Sequence, residues 1–372
     1  MKIIHCFRSP VGGIFRHVRD LVKAQSEAGH EVGIICDSTT GGDYEDALFE
    51  IIKPQLSLGL HRIAMSRSIT PRDFSALLKT RRILKQIAPD IVHSHSAKGG
   101  VYGRFGTYLA RSTTKSVKTF YCPHGGAMHY DAKSLKGRIF FTAERFLEPY
   151  TTSLVFVSDY ERKAYHEKVG MPRCSEEIVF NGLPSEEFEP VGTADEAVEF
   201  LYIGMKRDLK GPDVFLDALK VVRDKTAKDI RAYFVGDGPD EQKYNDQIEK
   251  LELKNAVTVR NAMPARDAFQ LADIVVVPSR AESMPYLVLE AIAAVKPVVA
   301  SNVGGIPEIF ADQSDQLVEP GNADALALAM IKSLEDTNLF EKARKMQSSL
   351  KERFSLEVMA QNMEKMYLRQ VT

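Results

Sequence analysis

The chain has 372 residues, of which 44% are hydrophobic and 27% are charged. This composition is typical of a soluble globular protein, and at roughly 100–200 residues per domain the length predicts two domains. The 49 basic and 50 acidic side chains give a net charge of −1. Bulk attraction to a polyanion is therefore excluded, and we expect no nucleic-acid partner.

The four cysteines are scattered and form no Cys-x-x-Cys pair. This pattern disfavours a zinc ribbon, a redox dithiol and a disulfide scaffold, so we expect a reducing compartment and a cytoplasmic location. The sequence contains no run of roughly 18 or more apolar residues, so it predicts neither a cleaved signal nor a membrane-spanning helix.

Short apolar runs alternate with helical patterns from the first residues onward. In the first half, the expected strands are 2–7, 31–36, 90–94, 117–121 and 153–157. Between the first two runs, apolar residues at helical spacing extend from Ile14 to Ala28 and end before Gly29. Such alternation predicts βαβ units and a parallel sheet.

A second α/β pattern follows residues 181–190, which combine turn formers with acidic residues and are predicted to be a linker. The expected strands there are 199–203, 231–235, 256–259, 274–277, 297–300 and 316–318, followed by a helical stretch from 323 to about 368. We therefore expect domains at 1–180 and 191–355 and a C-terminal helix at 356–372 that packs back on the first domain. In such sheets, ligands bind at the carboxyl ends of the strands.

Two glutamates after the strand 274–277 form the strongest candidate for chemistry. Glu282 and Glu290 are eight residues apart, with Ser283 expected as a helix N-cap and Pro285 in the first turn. A helical rise places the two carboxylates on the order of 12 Å apart. That spacing suits two hydroxyl-bearing rings, since a carboxylate can accept two hydrogen bonds from a vicinal diol. The alternative is a helix-dipole partner and a solvated face residue.

Cations and glycines follow other strands of the second domain. Arg207 and Lys210 lie in a glycine-bounded loop after 199–203, as a diphosphate site requires, although a solvated turn has the same composition. The Gly304-Gly305 pair precedes a short helix and offers backbone N–H groups to an anion, as Gly12-Gly13 does in the first domain. The sequence 236–240 lacks the third glycine of a dinucleotide fingerprint, so no NAD site is expected.

Histidines mark the first domain. His93 and His95 are expected to be structural, whereas His124 is followed by two glycines that leave its ring accessible. No metal-binding motif accompanies them, so we expect no metal site. Residues 133–146 interleave basic and apolar side chains, and we favour an amphipathic core helix over a membrane-surface helix.

Together these residues resemble glycosyltransferase family 4, the retaining nucleotide-sugar transferases of GT-B fold. The resemblance extends from Gly12-Gly13 to Gly304-Gly305, and its most specific element is Glu282-x7-Glu290 after Pro278-Ser-Arg. It implies two Rossmann-like domains facing across a cleft. It also implies that the first domain binds the acceptor and the second binds the nucleotide sugar.

The resemblance also implies a role for each candidate residue. Glu290 holds the donor ribose, Arg207 and Lys210 hold the diphosphate, and Glu282 binds a hydroxyl of the transferred sugar. His124 contacts the same sugar, with His-Gly-Gly here in place of the more frequent His-Asp. The remaining donor contacts implied are Gly13, Met284, Pro285, Tyr286 and Gly305. The usual Gly-Arg is here Gly204-Met-Lys-Arg207, which makes Lys210 the firmer of the two cations.

The expected reaction needs neither a metal nor a dedicated protein base. Fixed cations and loop amides would stabilise the leaving diphosphate, which itself would deprotonate the acceptor on the same face. The alternatives are a nucleotide-sugar epimerase or hydrolase of the same fold and a catalytically silent nucleotide-sugar binding protein.

The expectations about substrates rest on the family resemblance alone. It favours a GDP-mannose-like donor, with uridine donors left open, and a glycan or lipid-linked acceptor in lipopolysaccharide (O-antigen) or other polysaccharide assembly. Phe15, Arg16 and residues 133–146 are the expected acceptor surface. The last segment would also make a peripheral contact with the cytoplasmic face of the inner membrane.

Overall fold

The computed structural model describes residues 1–111, 116–226 and 228–371. It divides into two compact units. Unit 1 comprises Met1–Gly182 with Leu356–Thr372, and unit 2 comprises Leu183–Ser355. The chain therefore passes from unit 1 to unit 2 and returns.

Unit 1 is built on a parallel seven-stranded sheet in the order β3-β2-β1-β4-β5-β6-β7. The strands are β1 Lys2–Phe7, β2 Glu31–Asp37, β3 Leu60–Ile63, β4 Ile91–His95, β5 Lys118–Cys122, β6 Ser153–Phe156 and β7 Ser175–Ile178. The helices are α1 Gly12–Glu27, α2 Asp43–Ile52, α3 Arg72–Ile87, α4 Ser96–Gly100, α5 Gly106–Ala110, α6 Leu135–Leu147 and α7 Asp159–Lys168, with a π-helix at Val101–Phe105.

Unit 2 has a parallel five-stranded sheet in the order β10-β9-β8-β11-β12. The strands are β8 Val198–Ile203, β9 Ala232–Val235, β10 Val257–Arg260, β11 Ala272–Val277 and β12 Val298–Ala300. The helices are α8 Pro212–Thr226, α9 Glu241–Lys250, α10 Ala265–Phe269, α11 Tyr286–Ala293, α12 Ile306–Phe310, α13 Ala323–Glu335 and α14 Leu339–Phe354. The 3-10 helices of the chain are Lys53–Gln55, Ala127–His129, Glu148–Tyr150, Ser185–Phe188, Asp208–Lys210 and Ala311–Gln316.

The last helix, α15 Leu356–Val371, belongs to unit 1, where it packs against α1. Its buried Tyr367 reaches His93 of β4, with 2.6 Å between the hydroxyl oxygen and Nδ1. Of the predicted linker 181–190, residues 183–190 belong to unit 2. Arg266 donates to the carbonyl oxygens of Glu187 and Glu189 there, at 2.9 Å each.

The central strands are buried on both faces, which explains their uninterrupted apolar runs. In β11, the segment from Ile274 to Val277 is buried throughout, and in β1 so are Ile3 to Phe7. Most predicted strands agree with the structure to within two residues. The edge strand β3 escaped prediction because half of it, His61 and Arg62, is polar. The predicted strand 316–318 is wrong, since only Val318 forms a bridge, with Ser301.

Among the residues that the structure describes, no helix is both long and apolar enough to cross a membrane.

Candidate functional site

The loops that follow β8, β11 and β12 meet at the carboxyl edge of the sheet in unit 2. These strands are neighbours in one parallel sheet, so their following loops emerge side by side. Arg280 links the loop that follows β11 to the segment that follows β8. Its guanidinium donates to both carboxylate oxygens of Asp213 at 2.8 and 2.6 Å and to the carbonyl oxygen of Asp208 at 2.7 Å.

Two glycines allow these loops to touch backbone against backbone. Gly211 has φ +66°, and a Cβ placed there would lie 2.0 Å from the carbonyl oxygen of Pro278. Gly304 has φ +60°, and its Cβ would lie 1.9 Å from the carbonyl oxygen of Glu282. Both the left-handed conformation and the close contact exclude a side chain. The glycines therefore fix where the side chains of the other loops can lie.

Lys210 and Glu282, which the sequence places 72 residues apart, meet directly. The Lys210 Nζ donates to Glu282 Oε1 at 2.5 Å, and the Ser279 hydroxyl donates to the same oxygen at 2.8 Å. Glu282 is buried, whereas one third of the Lys210 side chain remains exposed. The pair holds an ammonium group at the sheet edge where an anion can reach it.

The structure separates the two basic residues before the 3-10 helix Asp208–Lys210. Lys206 is fully buried and donates to Glu241 Oε1 at 2.6 Å, which is a structural ion pair. Arg207 is exposed, and its side chain has no ion-pair partner among the described residues. Of the two, Arg207 is thus the cation available to a ligand.

Helix α11 begins later than the sequence predicts. Its N-cap is Pro285 and its first residue is Tyr286, so the expected N-cap role of Ser283 is wrong. Proline fixes the φ that an extended cap can adopt, whereas the Ser283 hydroxyl bonds to none of the described residues. Glu290 consequently lies little more than one turn inside the helix. It is 8% exposed, which rules out a solvated face residue.

The neighbouring donor candidates offer little side-chain surface. Met284, Pro285 and Tyr286 are all buried, so a ligand could reach them chiefly through the backbone. In the structure the Gly305 N–H donates to the Ser283 carbonyl at 2.8 Å, so this amide is already engaged within the protein. The Gly304 N–H has no acceptor within the described part of the chain and is the amide left for a ligand.

In unit 1, His124 follows β5 in a left-handed conformation with φ +53°. The next residue, Gly125, donates its N–H to the buried carboxylate of Glu161, whose other oxygen accepts from Val157 at 2.9 Å. Glu161 thus anchors the turn that presents the partly exposed His124 ring. Sequence reasoning did not identify Glu161, because a glutamate in the first turn of a helix has many ordinary roles.

Four more histidines form a cluster with His124: His17 and His95 contact its ring, and His5 and His93 contact His95. Burial lowers the pKa of His5 to about 4 and that of His17 to about 3, and holds the pKa of His93, His95 and His124 well below the usual value. All five rings are therefore neutral near pH 7. The signal that we missed is register, since parallel pairing places His5 beside His93.

Ring nitrogens of these histidines come within 4.8 Å in two sets of three, which raises the question of a metal. The rings of His93 and His95 stack at 4.2 Å with 30° between their planes. Imidazole lone pairs lie in the ring plane, so stacked rings direct them side by side rather than at one centre. His5 and His95 instead direct nitrogens at each other at 3.0 Å, a hydrogen-bond distance. The arrangement is that of a hydrogen-bonded network.

The other first-unit candidates differ in accessibility. Gly13 is exposed at the start of α1. Phe15 is only 2% exposed and packs against Phe49 with ring centroids 4.5 Å apart, so the expectation that it contacts an acceptor is wrong. Its place in the helical apolar pattern already favoured the core. Arg16 is half-buried and pairs with Asp20 at 3.4 Å.

Helix α6 carries an apolar stripe on its exposed side. Leu135 is 75% exposed, Ile139 48% and Phe146 63%. At about 100° per residue they fall within about 40° of arc. The opposite side, with Phe141 and Leu147, is buried. The helix thus packs on the core, as we favoured, but its free face is not the solvated polar one that an amphipathic core helix would have.

Comparison with protein families gives two consecutive matches. Residues 11–187 match the model described as Glycosyltransferase Family 4. Residues 185–353 match the model described as Glycosyl transferases group 1. Together they span residues 11–353, which leaves out β1 at the start of the chain and α15 at its end.

Individual relatives have low sequence identity to this chain, but the matched regions cover most of each protein. An uncharacterized 41.2 kDa protein in the cps region of Klebsiella pneumoniae is 26% identical over 84% of each chain. The UDP-Gal:alpha-D-GlcNAc-diphosphoundecaprenol alpha-1,3-galactosyltransferase of Escherichia coli is 25% identical over 82% of this chain and 80% of its own. Among solved structures, Anabaena HepE in complex with UDP superposes with a TM-score of 0.77 over 98% of this chain, at 18% identity.

The glycine contact at residue 304 can be tested by substitution. Gly304→Ala adds both left-handed strain and a clash with the Glu282 carbonyl, whereas Gly321→Ala, with φ +76° and open space around it, adds strain alone. We expect the control to lose about 1 kcal/mol of unfolding free energy and Gly304→Ala about 2–4 kcal/mol, measured by urea denaturation. Equal losses would contradict the contact.

Proposed function

Since this chain belongs to the glycosyltransferases, with a family 4 domain followed by a group 1 domain, we propose that it moves a sugar from a nucleoside-diphosphate donor to a glycan or lipid-linked acceptor, with retention of configuration. The name of the Escherichia coli relative, a galactosyltransferase that acts on a diphosphoundecaprenol-linked sugar, supports a role in polysaccharide assembly. The main observation that supports a donor site is the Lys210–Glu282 pair at the carboxyl edge of the sheet in unit 2.

The chemistry breaks the bond between an anomeric carbon and a phosphate oxygen. Negative charge grows on the leaving diphosphate, and fixed cations that face it stabilise the transition state. Arg207 is exposed with an uncommitted guanidinium, and Lys210 is held in place by Glu282. The Gly304 N–H adds a neutral donor. We assign these three groups to the diphosphate.

The two glutamates bind hydroxyl groups in this proposal. Glu290 is buried at the start of α11 and takes the ribose diol, as the family resemblance implies. Glu282 has one oxygen occupied by Lys210 and Ser279 and directs its remaining acceptor capacity to a hydroxyl of the transferred sugar. Pairing the glutamate with the lysine couples recognition of the sugar to recognition of the phosphate.

Retention follows if the departing phosphate oxygen takes the proton of the acceptor hydroxyl on the face that it leaves. The carbon–oxygen bond to the acceptor forms as the bond to phosphate breaks, and the proton ends on the diphosphate. No protein base is used. The anomeric configuration of the product, measured by NMR, tests this step, because an inverted product would contradict it.

The names of characterised relatives bear on the donor base. The Escherichia coli relative is named for UDP-galactose, and the Anabaena structure contains UDP. These names favour a uridine donor over the guanosine donor that the sequence resemblance favoured. Thermal-shift measurements with UDP and GDP discriminate the two, and the nucleotide that raises the unfolding temperature identifies the donor base.

Lys210 is the residue whose loss should matter most. We expect Lys210→Ala to lower the transfer rate at least about a hundredfold, because a charge facing the leaving group disappears. Lys220→Ala, which removes a partly exposed lysine of α8 that pairs with Asp224, should transfer within about twofold of the wild type. Assays are run by mass spectrometry with UDP-sugars, GDP-mannose and an acceptor panel. Unchanged turnover in Lys210→Ala would remove this residue from the site.

Two controls in the same assay separate competing activities. We expect chelator to leave transfer intact, since the cations of the site are side chains, and loss restored by magnesium or manganese would contradict this. Consumption of the donor without acceptor would indicate a hydrolase or epimerase instead. An unreacted donor in every mixture would indicate a binding protein.

The exposed stripe of α6 supports a lipid surface as part of the acceptor side. Lys133, Lys136 and Arg138 are exposed near its first turn and suit anionic headgroups. Beside the helix lies a cavity of about 200 Å³ lined mainly by apolar side chains, among them Phe140 of α6 and Val101. We assign this face to a membrane contact that brings a lipid-linked acceptor to unit 1.

Sedimentation with vesicles of phosphatidylethanolamine and phosphatidylglycerol tests this contact. We expect the double variant Leu135→Glu/Phe146→Glu to reduce vesicle binding by at least about fivefold, because charges replace the inserted side chains. Leu328→Glu, at an exposed leucine of unit 2, is the matched control and should bind as the wild type does. Wild-type protein that stays in the supernatant would contradict the proposal.

A further inference from the structure

The buried histidines of unit 1 form a hydrogen-bonded chain that ends at His124. From the outside inward, His124 Nε2 lies 2.9 Å from His95 Nδ1, and His95 Nε2 lies 3.0 Å from His5 Nδ1. His5 Nε2 lies 2.8 Å from Oε1 of Gln25 on α1. His5, His95 and Gln25 are buried, so water does not compete for these bonds.

The amide at the inner end gives the chain a direction. A neutral imidazole carries one N–H and one lone pair, and a carbonyl oxygen can only accept. The structure assigns Oε1 of Gln25 to the side that faces His5, and with this amide orientation His5 donates from Nε2 and accepts at Nδ1. His95 then donates from Nε2 and accepts at Nδ1, and His124 donates from Nε2. Each ring thus makes one donation, and the alternation leaves His124 Nδ1 with its lone pair.

Two observations support neutral rings throughout. Burial holds the pKa of His95 and His124 well below the usual value and lowers that of His5 to about 4, although the hydrogen bond to Gln25 opposes the shift at His5. Glu161, the carboxylate that anchors the turn, accepts from the amides of Gly125 and Val157. His17 stands edge-on to His124 at 4.8 Å and has Asn181 Oδ1 3.1 Å from its Nδ1.

We propose that Gln25 and His5 act through His95 to hold His124 in the Nε2–H tautomer, so that His124 Nδ1 accepts a hydrogen bond from a hydroxyl of the transferred sugar. This rests on the proposed function for the sugar contact, but the tautomer stands on the hydrogen bonds alone. Gln25, His5 and His95 are positioning residues. They make the site select donor sugars that carry a hydroxyl at the position facing His124.

The tautomer can be measured directly in the wild-type protein by ¹⁵N NMR of selectively labelled histidines at pH 7. Single His→Gln variants assign the signals. We expect His124 to show a protonated Nε2 and an unprotonated Nδ1. The opposite tautomer, or an imidazolium, overturns the relay whatever the activity of the enzyme.

Gln25→Met removes the terminal acceptor at nearly constant volume, and Gln86→Met makes the same change at an exposed glutamine of α3. We expect Gln25→Met to give a mixture of His124 tautomers and to lower kcat/KM for the donor about tenfold. The control should keep the wild-type tautomer and activity. An unchanged His124 tautomer in folded Gln25→Met overturns the relay.

The outcome for the sugar contact is separate. The wild type should have a higher kcat/KM for a donor that carries the hydroxyl than for a deoxy donor that lacks it. In Gln25→Met this difference should disappear. A difference as large as in the wild type would contradict the acceptor role assigned to His124 Nδ1. If the wild type shows the expected tautomer but transfers sugar from no donor, the proposed function fails while the relay holds.

Discussion

The candidate donor site depends on the approach of one loop backbone to another without an intervening side chain. At Gly211 and Gly304 the facing carbonyl oxygens lie where a Cβ would clash. Because parallel strands deliver their loops to one edge, this contact brings together residues that are far apart in sequence. The Lys210–Glu282 pair follows from this contact. Because the two loops pack backbone against backbone, Lys210 Nζ lies 2.5 Å from Glu282 Oε1.

The two candidate sites differ in charge. At the carboxyl edge of unit 2, Arg207 is exposed and Lys210 is partly exposed, and the carboxylate that holds Lys210 is itself buried. In unit 1, burial keeps five imidazoles neutral and satisfies them largely by hydrogen bonds to one another or to neutral groups such as Gln25, Asn181 and Tyr367. A charged site suits a diphosphate, and a neutral directional site suits a hydroxyl.

Periodicity and motif order predicted most of the architecture. The uninterrupted apolar runs specified buried parallel strands, and glycines after strands marked the loops of the candidate site. Glu282, Glu290, Arg207 and Lys210 could be nominated because each follows a strand. The sequence could not predict which side chains and backbone amides of these loops remain available to a ligand. The commitment of Gly305 to Ser283 and the burial of Lys206 depend on contacts between loops that no local pattern encodes.

The histidine chain is a second feature that local sequence patterns could not predict. His5, His95 and His124 lie on three strands or their ends, and their meeting follows from strand order and register. A histidine in an apolar strand is ordinarily a core residue, so single positions gave no reason to link them. Gln25 lies on a helix and joins the chain only through packing of α1 on the sheet.

The central claim is that the loops at the carboxyl edge of unit 2 bind a nucleoside diphosphate. Hydrogen–deuterium exchange of the full chain, with and without UDP or GDP, tests it most directly. The account predicts slower exchange in residues 204–211, 282–290 and 302–306 when the nucleotide is bound. Unchanged exchange in these segments, with protection elsewhere in unit 2, would contradict it.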